Sequence, residues 1–267
     1  MGLSAATAVS TDIAAYRDLW RAVPADVAGR HGIALHEVAG AVCLGCASMS
    51  GAPILNHAFG VGVAAPAGES ELDEIQRFYA GLGVAYSVAV DPAAGGLGGL
   101  LERRGFSKGR PWMTFRRGPS GPTGRAGGLR IEEAGAGRAT AFGAIVAAAF
   151  EMPPDFAPWM AALADRPGWT ALLALDGDEP VGAAALFVHG GEGWLGMGAT
   201  LPAHRGRGAQ GALFAERLRL AGELGLDAVV TETGAPVADE APGASYRNML
   251  RYGFAEVALR PNLRSPG

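Results

Sequence analysis

Residues 118–128 read Gly-Pro-Ser-Gly-Pro-Thr-Gly-Arg-Ala-Gly-Gly. Glycine leaves the backbone unfixed and proline lacks an amide hydrogen, so this stretch sustains neither a helix nor an inner strand. It reads as a linker and bounds the size of any single folded unit. Before it lie 117 residues and after it 139, each an ordinary domain length. The expected organisation is a domain over 1–117, a linker over 118–128 and a second domain over 129–267.

The chain has 42 glycines and 17 prolines among 267 residues, yet 49 % of it is apolar. Disordered chains lack that much core material. The richness in Ala, Gly and Arg, with Lys108 as the only lysine, reads as the mark of a GC-rich bacterial genome. A net charge of −4 offers no global attraction to nucleic acid or an anionic membrane. No charge-free apolar run reaches membrane-spanning length. The first residues show neither a basic and apolar leader nor a myristoylation pattern, so a cytoplasmic protein is expected. Cys43 and Cys46 have C-x-x-C spacing. Residues 37–44 read as a buried strand, on which positions three apart face opposite sides. Zinc would need two more ligands. The pair therefore reads as two small core residues, and no metal site is expected.

The second half has a readable order: strand 129–133, helices 140–150 and 156–164, strand 169–175, the turn Asp176-Gly177-Asp178, strand 181–188, a second turn at 189–193 and strand 194–201. A long amphipathic helix over 208–224 follows, then strand 227–231, helix 244–252 and strand 254–259. The first half repeats the tail of this order. Pro66-Ala67 matches Pro202-Ala203, Gly83 matches Gly225, and Gly105-Phe106 matches Gly253-Phe254. Pro66 and Gly83 are 17 residues apart, whereas Pro202 and Gly225 are 23 apart. The pattern is that of a tandem duplication in which the first copy is six residues short at one junction.

The residues present only in the second copy include Arg205-Gly206-Arg207-Gly208-Ala209-Gln210-Gly211, between a strand and a helix. Glycines there let successive backbone N–H groups turn toward one point, and the helix N-terminus adds partial positive charge. With Arg205 and Arg207 this is a cradle for a pyrophosphate. Gly206-x-Gly208-x-x-Gly211, with Glu232 26 residues beyond Gly206, also matches a dinucleotide fingerprint. That fingerprint should sit at a strand end and open a βαβ domain. Here an antiparallel meander precedes it.

The strand, the segment from Pro202 to Gly208 and the long helix together resemble the acetyl-CoA loop of GNAT-type N-acetyltransferases. In that family's pattern, (Arg/Gln)-x-x-Gly-x-(Gly/Ala), Arg205 and Gly208 match and Gln210 departs at the last position. The resemblance covers residues 129–261. It implies an α/β protein of two tandem GNAT-like domains, each a mixed, mostly antiparallel twisted sheet flanked by helices, the first copy degenerate. It also implies acetyl-CoA as co-substrate and a small-molecule or peptide amine as acceptor, and it admits a homodimer. Ala199, Thr200 and Leu201 would pair with pantetheine amides, residues 205–210 would hold the pyrophosphate, and Asn248 would contact the co-substrate.

In the family an amine attacks the thioester directly. Glu232 is the first choice of base, with Glu151 as an alternative near the acceptor. The acid tyrosine that many members place four residues before Gly-Phe is Met249 here. Tyr246 and Tyr252, three residues to either side on the same helix face, are the candidate substitutes. In the first copy the corresponding stretch contains Glu69, Ser70 and Glu71 and no arginine, so no CoA binding is expected there. A non-catalytic acyl-CoA sensor or scaffold is the alternative. Trp159, Trp169 and Trp194 are candidates for an apolar pocket lining.

Overall fold

The computed structural model describes residues 5–120 and 128–266. Most of the expected linker, residues 121–127, lies outside the described residues. The first half comprises helices α1 (Ala5–Arg21) and α2 (Ala25–His31), strands β1 (Ile33–Val38), β2 (Ala41–Cys46) and β3 (His57–Phe59), helix α3 (Glu69–Leu82), β4 (Ser87–Ala89), α4 (Leu97–Arg103), β5 (Ser107–Lys108) and β6 (Trp112–Arg117). The second half comprises β7 (Arg130–Glu133), α5 (Gly135–Ala149), α6 (Ala157–Ala161), β8 (Trp169–Asp176), β9 (Glu179–His189), β10 (Glu192–Thr200), α7 (Ala209–Glu223), β11 (Ala228–Gly234), α8 (Ala244–Arg251), β12 (Ala255–Arg260) and β13 (Asn262–Arg264).

Both long crossover helices stop where glycine takes a left-handed conformation. Gly83 follows α3 and Gly225 closes the turn after α7, each with φ of 66°. The apolar stripe of α3, formed by Leu72, Ile75 and Tyr79, is buried. The cysteines lie on β2, beyond a turn at Ala39 and Gly40, and belong to different core clusters on opposite faces of the sheet. Burial pushes the Cys43 thiol up to about 12, which leaves it unreactive as a nucleophile.

The two sheets repeat one plan. The first runs β1-β2-β3-β4-β13-β5 and the second β12-β6-β11-β10-β9-β8-β7. In each, an antiparallel meander leads to one parallel pair, β3 with β4 and β10 with β11. The long helix, α3 or α7, connects that pair. These mixed sheets exclude the doubly wound parallel fold that a dinucleotide fingerprint requires.

The sheets do not divide at the linker. β6 precedes the linker, yet it pairs with β11 and β12 in the second sheet, with Val229 opposite Arg117 and Glu232 opposite Thr114. β13 returns the exchange by inserting between β4 and β5, with Leu263 opposite Val88 and Lys108. Each half thus lends its last strand to the other. Alternation of apolar residues tells which face of a strand is buried but not which sheet receives it. A division at residue 117 accordingly describes the sequence and not the sheets. α1 also crosses over: its Tyr16 and Trp20 share a core cluster with Trp159 and Trp194 of the second half.

Candidate active site

β10 and β11 are hydrogen-bonded only from Glu192 to Trp194 and from Ala228 to Val230. Beyond those residues each strand keeps just its outer neighbour, so the two part and open a slot in the sheet. An irregularity between Gly196 and Ala199 drives the parting, with Met197 at a φ of 53°. A left-handed non-glycine residue costs on the order of 1–3 kcal/mol and persists only where its surroundings enforce it. Gly196 beside it is required, because a Cβ there would collide with the Trp194 ring. Side chains satisfy the carbonyls freed by the parting. Thr231 Oγ1 donates to the Leu195 carbonyl at 2.8 Å and Arg217 Nη1 to the Gly196 carbonyl at 3.3 Å.

Arg217 is a residue that the sequence reading missed. It sits in α7, almost fully buried, and donates through Nε to the Leu213 carbonyl at 3.1 Å. Burial pushes its guanidinium down to about 9, so it remains charged at neutral pH. The signal for it is weak, since a single arginine on an amphipathic helix ordinarily reads as part of the solvated face.

After β10 a short 3₁₀ turn over Pro202–His204 leads to Gly206 and Gly208, both left-handed at φ of 79° and 88°. Gly208 is the N-cap of α7, with no side chain capping the helix. The first N–H groups of a helix have no partner within it, so this end presents free donors and the positive end of the dipole. An anionic pyrophosphate fits such a cradle. Arg205 is exposed and bonds weakly to the Thr200 carbonyl at 3.4 Å. Arg207 is engaged with Asp176 at 2.6 Å. Gln210 accepts a hydrogen bond from the Asn248 side chain, which ties the start of α7 to α8.

The matching end of α3 is acidic. Glu71 accepts the Gly68 N–H at 2.7 Å as a capping box. The backbone hydrogen bond from Gly68 holds the Glu71 carboxyl below its ordinary range. The first copy therefore sets carboxylates, Glu69 and Glu71, in the first turn of its helix, where the second has none.

The slot continues into a cavity of about 340 Å³ whose wall includes Gly196, Met197, Gly198, Gln210 and Glu232. Glu232 is nearly buried. One of its oxygens accepts from the Tyr16 hydroxyl and the other from Arg260. Arg260 also pairs with Asp12 at 2.7 Å. Two carboxylates thus share one buried guanidinium. Burial pushes the Asp12 carboxyl up to about 8, against the opposing pull of Arg260. Arg260 is held above its ordinary range by both carboxylates, despite its burial.

The Acetyltransferase (GNAT) family profile matches residues 141–242, which run from α5 through the slot and the cradle to just before α8. That segment matches a GNAT acetyltransferase domain. Among solved structures, a GCN5-related N-acetyltransferase from Kribbella flavida is 22 % identical, with 100 % of this chain and 97 % of that one covered at a TM-score of 0.65. A GNAT acetyltransferase from Colwellia psychrerythraea is 12 % identical over 99 % and 98 % of the two chains, with a TM-score of 0.57. A tandem GNAT protein from the clavulanic acid biosynthesis pathway is 14 % identical over 77 % and 71 %, with a TM-score of 0.52. At these identities the likeness is one of fold. No curated protein matches the chain. The GNAT family transfers acyl groups from acyl-CoA.

The GNAT slot receives only some of the residues expected there. Glu232, Gln210 and Met249 line the cavity, but Tyr246 and Tyr252 do not. The Tyr246 hydroxyl bonds to Glu256, and Tyr252 stacks on Phe214 at 5.0 Å. Both rings are core residues because α8 turns that face onto the sheet and α7. Glu151 is exposed, although its neighbours Phe150 and Met152 line the cavity. Trp159 and Trp194 are on the wall, whereas Trp169 donates its indole N–H to Asp18 at 2.7 Å. Among the described residues no cluster of three or more His, Cys, Asp or Glu side chains could hold a metal ion, and no helix is long and apolar enough to cross a membrane.

Proposed function

We propose that the protein transfers the acetyl group of acetyl-CoA to a primary amine of a small molecule or peptide, by direct attack in a ternary complex. One observation carries this reading: the slot between β10 and β11 lies between an uncapped helix end and a buried carboxylate. The N–H groups of residues 208–210 and Arg205 hold the pyrophosphate. The parted edge of β10 at Ala199 and Thr200 offers backbone groups to the pantetheine amides, as a partner strand would, whereas Leu201 just beyond the strand spends its N–H on the Val181 carbonyl and its carbonyl on the His204 N–H. Arg207, paired with Asp176, lends positive potential beside the cradle, and Asn248 orients Gln210.

The amine lone pair attacks the thioester carbonyl, the C–S bond breaks and the thiolate leaves. Glu232 takes the proton released by the amine, and Tyr16 and Arg260 hold its carboxylate in place. Tyr246 and Tyr252 take no part in this reading. Met249 on the wall has no proton to donate, so the thiolate departs without an acid from α8. The same feature favours the second reading, a non-catalytic acyl-CoA sensor. The first copy, with its carboxylate-capped helix, serves as structure and binds no CoA.

A thiol-release assay with acetyl-CoA and a panel of amines separates the two readings. The enzyme reading expects CoA to appear with at least one amine, and Glu232→Gln to lower kcat by about 10²–10⁴-fold while acetyl-CoA binding changes less than about twofold. Tight acetyl-CoA binding without CoA release from any amine would establish the sensor instead.

A further inference from the structure

We propose that the acceptor is an amine carried on an apolar group, aromatic or branched aliphatic, with no carboxylate of its own. The inference rests on the acyl-transfer reading and concerns the part of the cavity beyond the thioester slot. There the wall is built from both halves of the chain. Leu19 and Trp20 come from α1, Met49 and Leu55 from the segment after β2, and Trp159 and Met160 from α6. Trp20 meets Trp159 edge to face at 4.9 Å. Their polar edges are already used: the Trp159 indole N–H donates to the Leu19 carbonyl at 2.7 Å, and that of Trp20 to the Gly45 carbonyl at 3.4 Å. The rings therefore present carbon to the cavity.

Among the described residues, the charged groups on this wall are Glu232 and Arg217. Arg217 spends its Nε and Nη1 donors on the carbonyls of Leu213, Ala185 and Gly196. A carboxylate on the acceptor would be buried here without a dedicated cationic partner, which is costly. The amine nitrogen is met by Glu232, which also accepts from Tyr16 and Arg260, and an attached hydrocarbon group by the tryptophan, methionine and leucine wall. A long acyl chain is the competing occupant of the same apolar space. The carboxylate among the apolar side chains favours the amine.

The test uses the full chain and two readouts. Trp20, Trp112, Trp159 and Trp194 line the cavity, so intrinsic fluorescence reports occupation independently of turnover. We expect 2-phenylethylamine and isoamylamine to change the fluorescence saturably. We also expect their kcat/KM in the thiol-release assay to exceed those of ethanolamine, glutamate and lysine by about 100-fold. Ile54→Asp changes a partly exposed rim residue (38 % exposed), so the fold tolerates it; it should raise KM for 2-phenylethylamine about tenfold. Saturable binding of the apolar amines without turnover would uphold the pocket assignment and sink acyl transfer. Turnover confined to the hydrophilic amines, with no fluorescence response to the apolar ones, would overturn this inference and leave acyl transfer standing. So would a hexanoyl-CoA rate with methylamine above that of acetyl-CoA, which would assign the apolar space to the acyl chain.

Discussion

Asp12 and Glu232 share the guanidinium of Arg260 in a buried place, and a shared counter-ion cannot fully satisfy two negative charges. Burial raises the Asp12 value from 3.8 to about 8 in the folded chain. The folded state therefore keeps a proton that the unfolded state releases. By linkage, the stability from that proton is complete below about pH 4 and is lost as pH rises toward about 8, with a slope approaching about 1.4 kcal/mol per pH unit for one proton. Asp12→Asn keeps the shape and removes the titration. Urea unfolding of both proteins from pH 5 to 8 should show the wild type losing stability relative to the variant by more than about 1 kcal/mol. Parallel curves would mean that Asp12 is ionised throughout. Glu232 was legible in the sequence because a carboxylate ends the strand beside the slot. Its partners were not legible. Tyr16 lies 216 residues away and Arg260 lies 28 away on another strand, and nothing local marks residues that meet only in the folded chain.

Helices α3 and α7 occupy equivalent places in the two sheets and differ in how their first turns are satisfied. α3 supplies its own Glu71 carboxylate to the cap, while α7 begins at a left-handed Gly208 with no capping side chain. Under the proposed function that difference separates the copies, because the carboxylates in the first turn of α3 repel a second negative charge. Gly208→Glu places bulk and charge in the cradle at a φ of 88° that side chains rarely adopt. Isothermal titration should show acetyl-CoA affinity falling by more than about 100-fold, since a lost charge-assisted contact and a new repulsion act together. Glu71→Ala in α3 should leave that affinity unchanged. Binding that survives Gly208→Glu would move the co-substrate site elsewhere. The contrast between the helices was readable beforehand, since glycines, arginines and acidic residues are local signals. The Asp176-Gly177-Asp178 turn and the glycines after the helices likewise marked most element ends within a few residues. Local signals failed where a neighbour competes. Nothing local to Arg207 shows the exposed Asp176 carboxylate 2.6 Å away, and nothing local to Tyr246 and Tyr252 shows that α8 turns both rings into the core.

The exchange of β6 and β13 makes the two halves one cooperative structure, although the linker invites a division into two. Each exchanged strand is held on both edges by strands of the other half, so neither sheet is complete without the opposite end of the chain. A duplication is legible from repeated Pro and Gly anchors, whereas an exchange leaves no mark in them, because pairing partners are chosen by three-dimensional reach. A consequence can be tested at Leu263. It belongs to the last strand by sequence, is 3 % exposed, and packs in the core of the first half with Val88 and Leu101. Leu263→Ala should destabilise the whole chain by about 2–5 kcal/mol, the usual cost of emptying a buried leucine site. Unfolding should remain a single transition by far-UV dichroism and tryptophan fluorescence together. Native-state hydrogen exchange should quicken first at the amides of β4, which lies more than 170 residues from the substitution. Quickening confined to the second sheet, or a first-half sheet that melts separately in the unsubstituted protein, would contradict the exchange and restore two independent units.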